Sequence, residues 1–220
     1  FKNGHGNLNL SEAIERSCDV FFYELGLKVG IDKIAQMLRK LGLGSVLDLE
    51  LNELRKGLIP TKKWKLKKEG VSWTPGETIN ASIGQGYMLE SPMQLATMTA
   101  RLANSKFAIE PTLIHEKKKK FEKLDINIKH LNYVKKAMIK VVNSDFGTAK
   151  NSRINSNRIK MAGKTGTVQV VRISEQEREK GIIKNFDREW KKRDHALFVG
   201  YMPVEKPKYA VSVVIEHGGS

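Results

Sequence analysis

Lys164-Thr165-Gly166-Thr167 governs how the second half of the chain is read. It lies within Met161-Ala162-Gly163-Lys164-Thr165-Gly166-Thr167-Val168-Gln169-Val170-Val171, where β-branched residues stand on both sides of a glycine pair. That composition predicts a strand over 161–171. Glycine packs no side chain and weakens a strand, so Gly166 marks a place where another backbone can approach closely. Thr165 and Thr167 fall on one phase of such a strand, and Lys164 and Gly166 on the other. An edge of this kind can hold an extended peptide through backbone hydrogen bonds while a hydroxyl takes its carboxylate. Taken alone, Lys-Thr-Gly also fits a plain strand with a turn.

Downstream, residues 195–202 and 209–216 alternate or run apolar and predict two further strands. The short connection at 203–208 suits a hairpin, so this pair is expected to be antiparallel. Residues 172–193 are densely charged and are expected to form an exposed helical excursion. Upstream the pattern is helical. Ser11 is read as the cap of a short helix through Arg16, and a second helix over 20–29 is stopped by Gly30. A third over 31–41 ends at Gly42-Leu43-Gly44. Residues 45–80 read as irregular, with Pro60, Pro75 and Gly76 as breakers. Ser91-Pro92 caps a helix to about Ala103. Ile128, Leu131, Val134, Met138 and Val141 give the period of another. Helices followed by a meander of strands make one α+β domain over 1–220, mainly helical over 1–150 and sheet over 160–220.

A chain of 220 residues with 40% apolar residues can bury one core. The formal charge of +15 invites a nucleic-acid partner. The basic residues are nevertheless spread along the chain, with local runs at 62–68 and 117–120, and no helix-turn-helix, zinc-finger or aromatic-interleaved pattern accompanies them. Solvated lysine-rich faces are the reading, and no nucleic-acid partner is expected. Cys18 is the one cysteine, so no intrachain disulfide forms. No apolar run approaches the roughly 20 residues of a membrane span. Phe1-Lys2-Asn3-Gly4 reads as mid-protein sequence, so any anchor or signal is expected outside these residues.

Ser17-Cys18-Asp19 lies between the first two predicted helices, well before Lys164. Serine-x-x-lysine, Ser-Asp-Asn and Lys-Thr-Gly are the three elements of penicillin-interacting serine enzymes. Ser-x-Asp is a variant of the second. A serine hydroxyl beside a lysine ammonium can pass protons between nucleophile, base and leaving amine. A neighbouring side chain can meanwhile hydrogen-bond a substrate amide. The plainer reading makes Ser17 a helix cap and Asp19 the cap of the next helix, and a capped loop would also hold such side chains rigid. His5 and Cys18 are possible zinc donors, although a buried structural cysteine explains Cys18 as well.

Several stretches together resemble the class B penicillin-binding transpeptidases of the cell-elongation type, the penicillin-binding protein 2 family. They are Gly4-His5-Gly6-Asn7-Leu8-Asn9, Ser17-Cys18-Asp19-Val20-Phe21-Phe22-Tyr23, and Ser82-Ile83-Gly84-Gln85-Gly86-Tyr87 with Ser91-Pro92-Met93-Gln94-Leu95-Ala96. Lys164-Thr165-Gly166-Thr167-Val168-Gln169-Val170 and Asp194-His195-Ala196-Leu197-Phe198-Val199-Gly200 complete the set. The match spans nearly the whole chain and is loosest at 117–120 and 172–193. It implies the serine β-lactamase-like fold, an antiparallel sheet packed with helices, incomplete at both ends. It implies acyl transfer on peptidoglycan through an acyl-serine, with β-lactams mimicking the D-alanyl-D-alanine end of the stem peptide. Ser17 would stand in the proton relay, with Lys164 supporting it, and Asp19 would contact substrate. Thr165, Gly166 and Thr167 would bind substrate, the two threonines its carboxylate, and the Thr167 N–H would line the oxyanion hole.

No serine of this chain is followed three places later by lysine. The resemblance places that nucleophile motif upstream of Phe1, and a closing helix beyond Ser220, so the chain alone is expected to perform no acylation. It implies no cofactor for catalysis. It also implies a structural zinc in some members, to which His5 and Cys18 would contribute alongside upstream aspartates. Expected partners are peptidoglycan stem peptides, β-lactams and membrane-embedded proteins of the elongation complex. The expected location is the bacterial inner membrane, with the catalytic domain in the periplasm. The alternatives are a β-lactamase or penicillin-sensing receptor domain, a basic binding module without chemistry, and a scaffold for elongation partners.

Overall fold

The computed structural model describes residues 4–49, 51, 54–114, 120–156, 158–171 and 183–219. Seven α-helices precede a three-stranded sheet within these residues. The helices are α1 Leu10–Glu15, α2 Asp19–Val29, α3 Ile31–Lys40, α4 Lys62–Glu69, α5 Pro75–Ser82, α6 Pro92–Asn104 and α7 Ile128–Asn143. The strands are β1 Ala162–Val168, β2 His195–Met202 and β3 Tyr209–Ile215, in the order β1-β2-β3. Both neighbouring pairs are antiparallel, as the short 203–208 hairpin requires for the second pair. Within the sheet β1 pairs on one side only, so its other edge is open.

Register carries the core. Ala162 stands opposite Tyr201, and Tyr201 opposite Ala210, which puts these residues on one face of the sheet. Ala162 and Tyr201 are buried there with Ala103 of α6 and Met138 of α7. A second cluster holds Val141, Val142 and Ala149, with Ile14, Met161 and Phe198 packed against it. It ties α1 and the end of α7 to the sheet. Ala35, Leu43 and Ile59 form a third cluster in the helical part. On β3 the opposite phase, Tyr209, Val211, Val213 and Ile215, is exposed.

Three expectations change. Residues 45–80 are not irregular throughout, because they contain α4 and α5. Thr61 caps α4 by accepting from the Trp64 N–H at 3.0 Å. Thr74 and Glu77 form a capping box, and Pro75 is the first residue of α5. A proline at that position gives up an N–H that would have no helical partner, so it starts the helix instead of breaking it. Lys65 is buried and paired with Glu77 and Glu69, which staples α4 to α5. The first helix is capped two residues earlier than Ser11 suggests, by Asn9 with Glu12. In the charged excursion, 172–182 lie outside the described residues, as do 117–119 of the lysine run. The rest of the excursion holds two short 3-10 turns, Asn185–Asp187 and Trp190–Lys192, instead of an α-helix. There the Arg193 guanidinium donates to the Phe186 and Arg188 carbonyls at 2.9 and 3.1 Å, replacing helical partners.

Candidate active site

Ser17 owes its place to how α1 ends. The Cys18 N–H donates to the Ala13 carbonyl at 2.9 Å and the Ser17 N–H to the Ile14 carbonyl at 3.3 Å. These are the two bonds of a Schellman closure, which needs a left-handed residue at its apex. Ser17 fills that position with φ of 52°. Glycine is the residue such a position favours, and serine there costs on the order of 1 kcal/mol. Ser17 thus caps the C-terminal end of α1 through its backbone, whereas Asp19 is not the cap of the next helix, contrary to the plainer sequence reading: Cys18 is the N-cap of α2, without a side-chain bond, and Asp19 is in its first turn. A carboxylate in that turn is favoured by the helix dipole.

Lys164 reaches Ser17 across the chain. Its Nζ donates to Ser17 Oγ and to the Thr165 carbonyl at 2.9 Å, and lies 3.4 Å from Thr165 Oγ1. Burial pushes the ammonium down to about 8, against the pull of the Asp19 carboxylate. The group therefore changes protonation just above neutral pH, where a proton-transfer partner is most effective.

A third segment enters from the end of α7. Ser144 donates to the buried Glu15 carboxylate of α1, and the Thr148 N–H donates to the Glu15 carbonyl at 3.3 Å. The Ala149 N–H returns to the Val141 carbonyl at 2.9 Å. Gly147 makes this turn possible, because a Cβ there would sit 2.2 Å from the Val141 oxygen. The result is that Thr148 Oγ1 stands 2.9 Å from Thr165 Oγ1 and 3.5 Å from Ser17 Oγ. Sequence reasoning missed Thr148. Its only signal was a Phe-Gly-Thr turn after a predicted helix, and nothing local points to a residue far away in sequence.

The open edge of β1 is also engaged. Gln85, in the turn between α5 and α6, donates from Nε2 to the Thr167 carbonyl at 2.7 Å. That carbonyl therefore points to the open edge, and in an extended strand the Thr167 N–H points the same way. Beside it, a Cβ at Gly166 would meet only Leu197 Cβ, at 3.4 Å, so the space over Gly166 admits an approaching chain. The structure thus brings together Ser17, Lys164 and Thr165, leaves Gly166 and Thr167 at the exposed edge, and adds Gln85 and Thr148.

His5, Ser17, Cys18 and Asp19 line one open cleft of about 380 Å³. His5 and Cys18 thus share a wall, with Cys18 buried. Among the described residues no group of three histidine, cysteine or carboxylate side chains is placed to hold a metal. His5 and Cys18 are donors of the kinds zinc takes, and two of them are fewer than the four of a tetrahedral site.

Comparison with known proteins agrees with the geometry. The chain is 36% identical to the peptidoglycan D,D-transpeptidase MrdA of Acinetobacter baumannii, over all of this chain and 34% of that protein. It is 32% identical to MrdA of Escherichia coli K12, over all of this chain and 36% of that protein. The chain therefore spans about a third of the length of these relatives. Penicillin-binding protein 2 of Helicobacter pylori, solved in complex with MreC, superposes with a TM-score of 0.85 at 35% identity, over 97% of this chain and 37% of the solved one. Penicillin-binding protein 2 of Pseudomonas aeruginosa, in complex with WCK 5153, gives a TM-score of 0.81 at 36% identity, over 97% and 45%. The family model described as the penicillin binding protein transpeptidase domain matches residues 1–220, and the chain belongs to that family.

Proposed function

We propose that the protein carrying this chain is a peptidoglycan D,D-transpeptidase of the elongation type, acylated by β-lactams at a serine outside these residues. The observation that carries the reading is the Lys164 ammonium on Ser17 Oγ, beside the open edge of an antiparallel strand. That edge can add an extended stem peptide as a further strand. Thr165 and Thr167 supply hydroxyls for its carboxylate, and Asp19 lines the cleft where its amide would lie. In acylation the serine oxygen bonds to the carbonyl carbon of the penultimate D-alanine as the bond to the terminal D-alanine nitrogen breaks. The serine proton ends on that nitrogen, and Ser17 with Lys164 is placed to hand it over. The Thr167 N–H faces the oxyanion. An amine of a neighbouring strand then takes the acyl group and releases the serine.

The relatives' names support transpeptidation over the β-lactamase or receptor reading. A time course of intact mass after mixing the full-length protein with benzylpenicillin tests this. A persistent adduct of one penicillin is expected, whereas rapid loss of the adduct with turnover would establish a β-lactamase. The complex of the Helicobacter pylori relative with MreC supports a partner of the same kind here. The family resemblance adds an inner-membrane location with the catalytic domain in the periplasm. Among the described residues no helix is long and apolar enough to cross a membrane. Catalysis requires no cofactor in this reading. His5 and Cys18 would hold a structural zinc together with ligands from the rest of the protein, and the ion would brace the loop before α1 against Cys18. Metal analysis of the full-length protein is expected to find about one zinc that a Cys18→Ser variant loses. Zinc-free protein of unchanged melting temperature would remove the ion from the account.

A further inference from the structure

Thr148 joins two groups that the proposed reaction uses for different purposes. Its Oγ1 lies 3.5 Å from Ser17 Oγ, the relay hydroxyl, and 2.9 Å from Thr165 Oγ1, the carboxylate-binding hydroxyl. Lys164 Nζ spans the same two residues from the other side, donating to Ser17 Oγ and lying 3.4 Å from Thr165 Oγ1. The four groups close a ring. Thr148 is exposed, yet its backbone is fixed to α1 through Glu15 and to α7 through the Gly147 turn.

Each hydroxyl has one hydrogen and two lone pairs, and an ammonium only donates. The hydroxyl hydrogens can therefore run from Thr165 to Thr148 to Ser17, or the other way. With no anion at the strand edge, Thr165 can donate to Thr148 and Thr148 to Ser17, which turns the Ser17 hydrogen into the cleft. An anion that takes the Thr165 hydrogen leaves the Thr165 oxygen to accept from Thr148, and Thr148 then accepts from Ser17, which turns a Ser17 lone pair into the cleft to take up the proton the nucleophile loses. Chains of hydrogen bonds polarise one another in this way.

We propose that Thr148 is a positioning residue, through which a carboxylate bound at Thr165 sets the direction of the hydroxyl hydrogen on Ser17. The inference rests on the transpeptidase reading, with penicillin standing in for the stem peptide. In this arrangement the carboxylate does more than anchor the substrate: its presence reaches the proton relay through one threonine hydroxyl.

The test is the acylation rate of the full-length protein by benzylpenicillin and by its methyl ester, which lacks the carboxylate. The wild type is expected to prefer the acid strongly. Thr148→Val, nearly isosteric, is expected to slow acylation by the acid by about 100-fold, the low end for a disturbed proton-transfer group. It is expected to slow the ester far less, so that the acid-to-ester ratio falls well below that of the wild type while the anchoring by Thr165 and Thr167 keeps the acid preferred. Thr148→Ser, which keeps the hydroxyl, is expected to restore both the rate and the ratio. A Thr148→Val protein that is slower on both compounds with an unchanged ratio would overturn the coupling and leave Thr148 as packing. So would a Thr148→Ser protein that behaves like Thr148→Val. A wild type that neither compound acylates would instead bring down the transpeptidase reading itself.

Discussion

Ser17 holds a backbone conformation that glycine adopts more easily, and it does so at the one point where its hydroxyl meets Lys164. Strain that persists beside a polar cluster points to use of the side chain. Ser17→Gly relaxes φ but frees the unfolded chain, so its folding free energy is expected to stay within about 1 kcal/mol of the wild type. Acylation of the full-length variant is nevertheless expected to fall by about 100-fold or more. Chemical denaturation and acylation kinetics on one preparation check both halves. Lys164 makes a second prediction at this scale. Burial lowers its folded-state pKa to about 8, from an ordinary value of 10.5. Below about 8 both folded and unfolded chains hold the proton, and the cost of burying the charge is fully present. Between about 8 and 10.5 the unfolded chain holds more protons, so folding stability is expected to rise with pH. Over the same interval the ammonium that donates to Ser17 disappears, and acylation is expected to decline. A Lys164→Met variant should lose this stability rise, and pH-dependent denaturation of the two proteins would show it.

At the scale of elements, the turn after α7 and the buried side chains of α6 carry the argument. Gly147→Ala would push a methyl group into the Val141 carbonyl and shift Thr148 away from Ser17. A loss of about 1–3 kcal/mol is expected from thermal unfolding, as for other overpacked sites, together with slower acylation. Gln94 is almost wholly buried, and its amide donates to the Ser45 and Lys56 carbonyls at 2.8 and 2.9 Å. It pins the segment between α3 and α4 onto α6. Gln94→Leu leaves two carbonyls without this donor and is expected to cost about 2–4 kcal/mol by urea denaturation. The elements also show where sequence reading succeeds. The strand around Lys164 was legible because β-branched residues flank it, and α7 because Leu131, Met138 and Val141 repeat at helical spacing. α5 was not, because Pro75-Gly76 is a breaker inside a helix but a starter at its first turn. Thr74 and Glu77 on either side of the pair distinguish the two cases, through the capping box they form.

Across the whole molecule, the site is assembled from four distant pieces: the end of α1, the turn before α6, the turn after α7, and β1. Ser17 and Lys164 were legible as a pair because both stand in motifs. Gln85 stood in a recognisable motif without a stated role, and its bond to Thr167 emerges only in the fold. Thr148 had no local mark at all, since its partners are Ser17 and Thr165 and its position follows from how α1 packs on α7. The spread of basic residues was also legible, whereas their places on the folded surface were not. The central claim is that this chain supplies the relay and the substrate edge of a serine acyl-transfer site, while the nucleophile belongs to another part of the protein. Intact mass after incubation with benzylpenicillin, on residues 1–220 alone and on the full-length protein, tests it most directly. The account predicts one adduct on the full-length protein, mapped by peptide mass to a serine outside residues 1–220, and none on the isolated chain. An adduct on a serine within residues 1–220, or no adduct on the full-length protein, would contradict it.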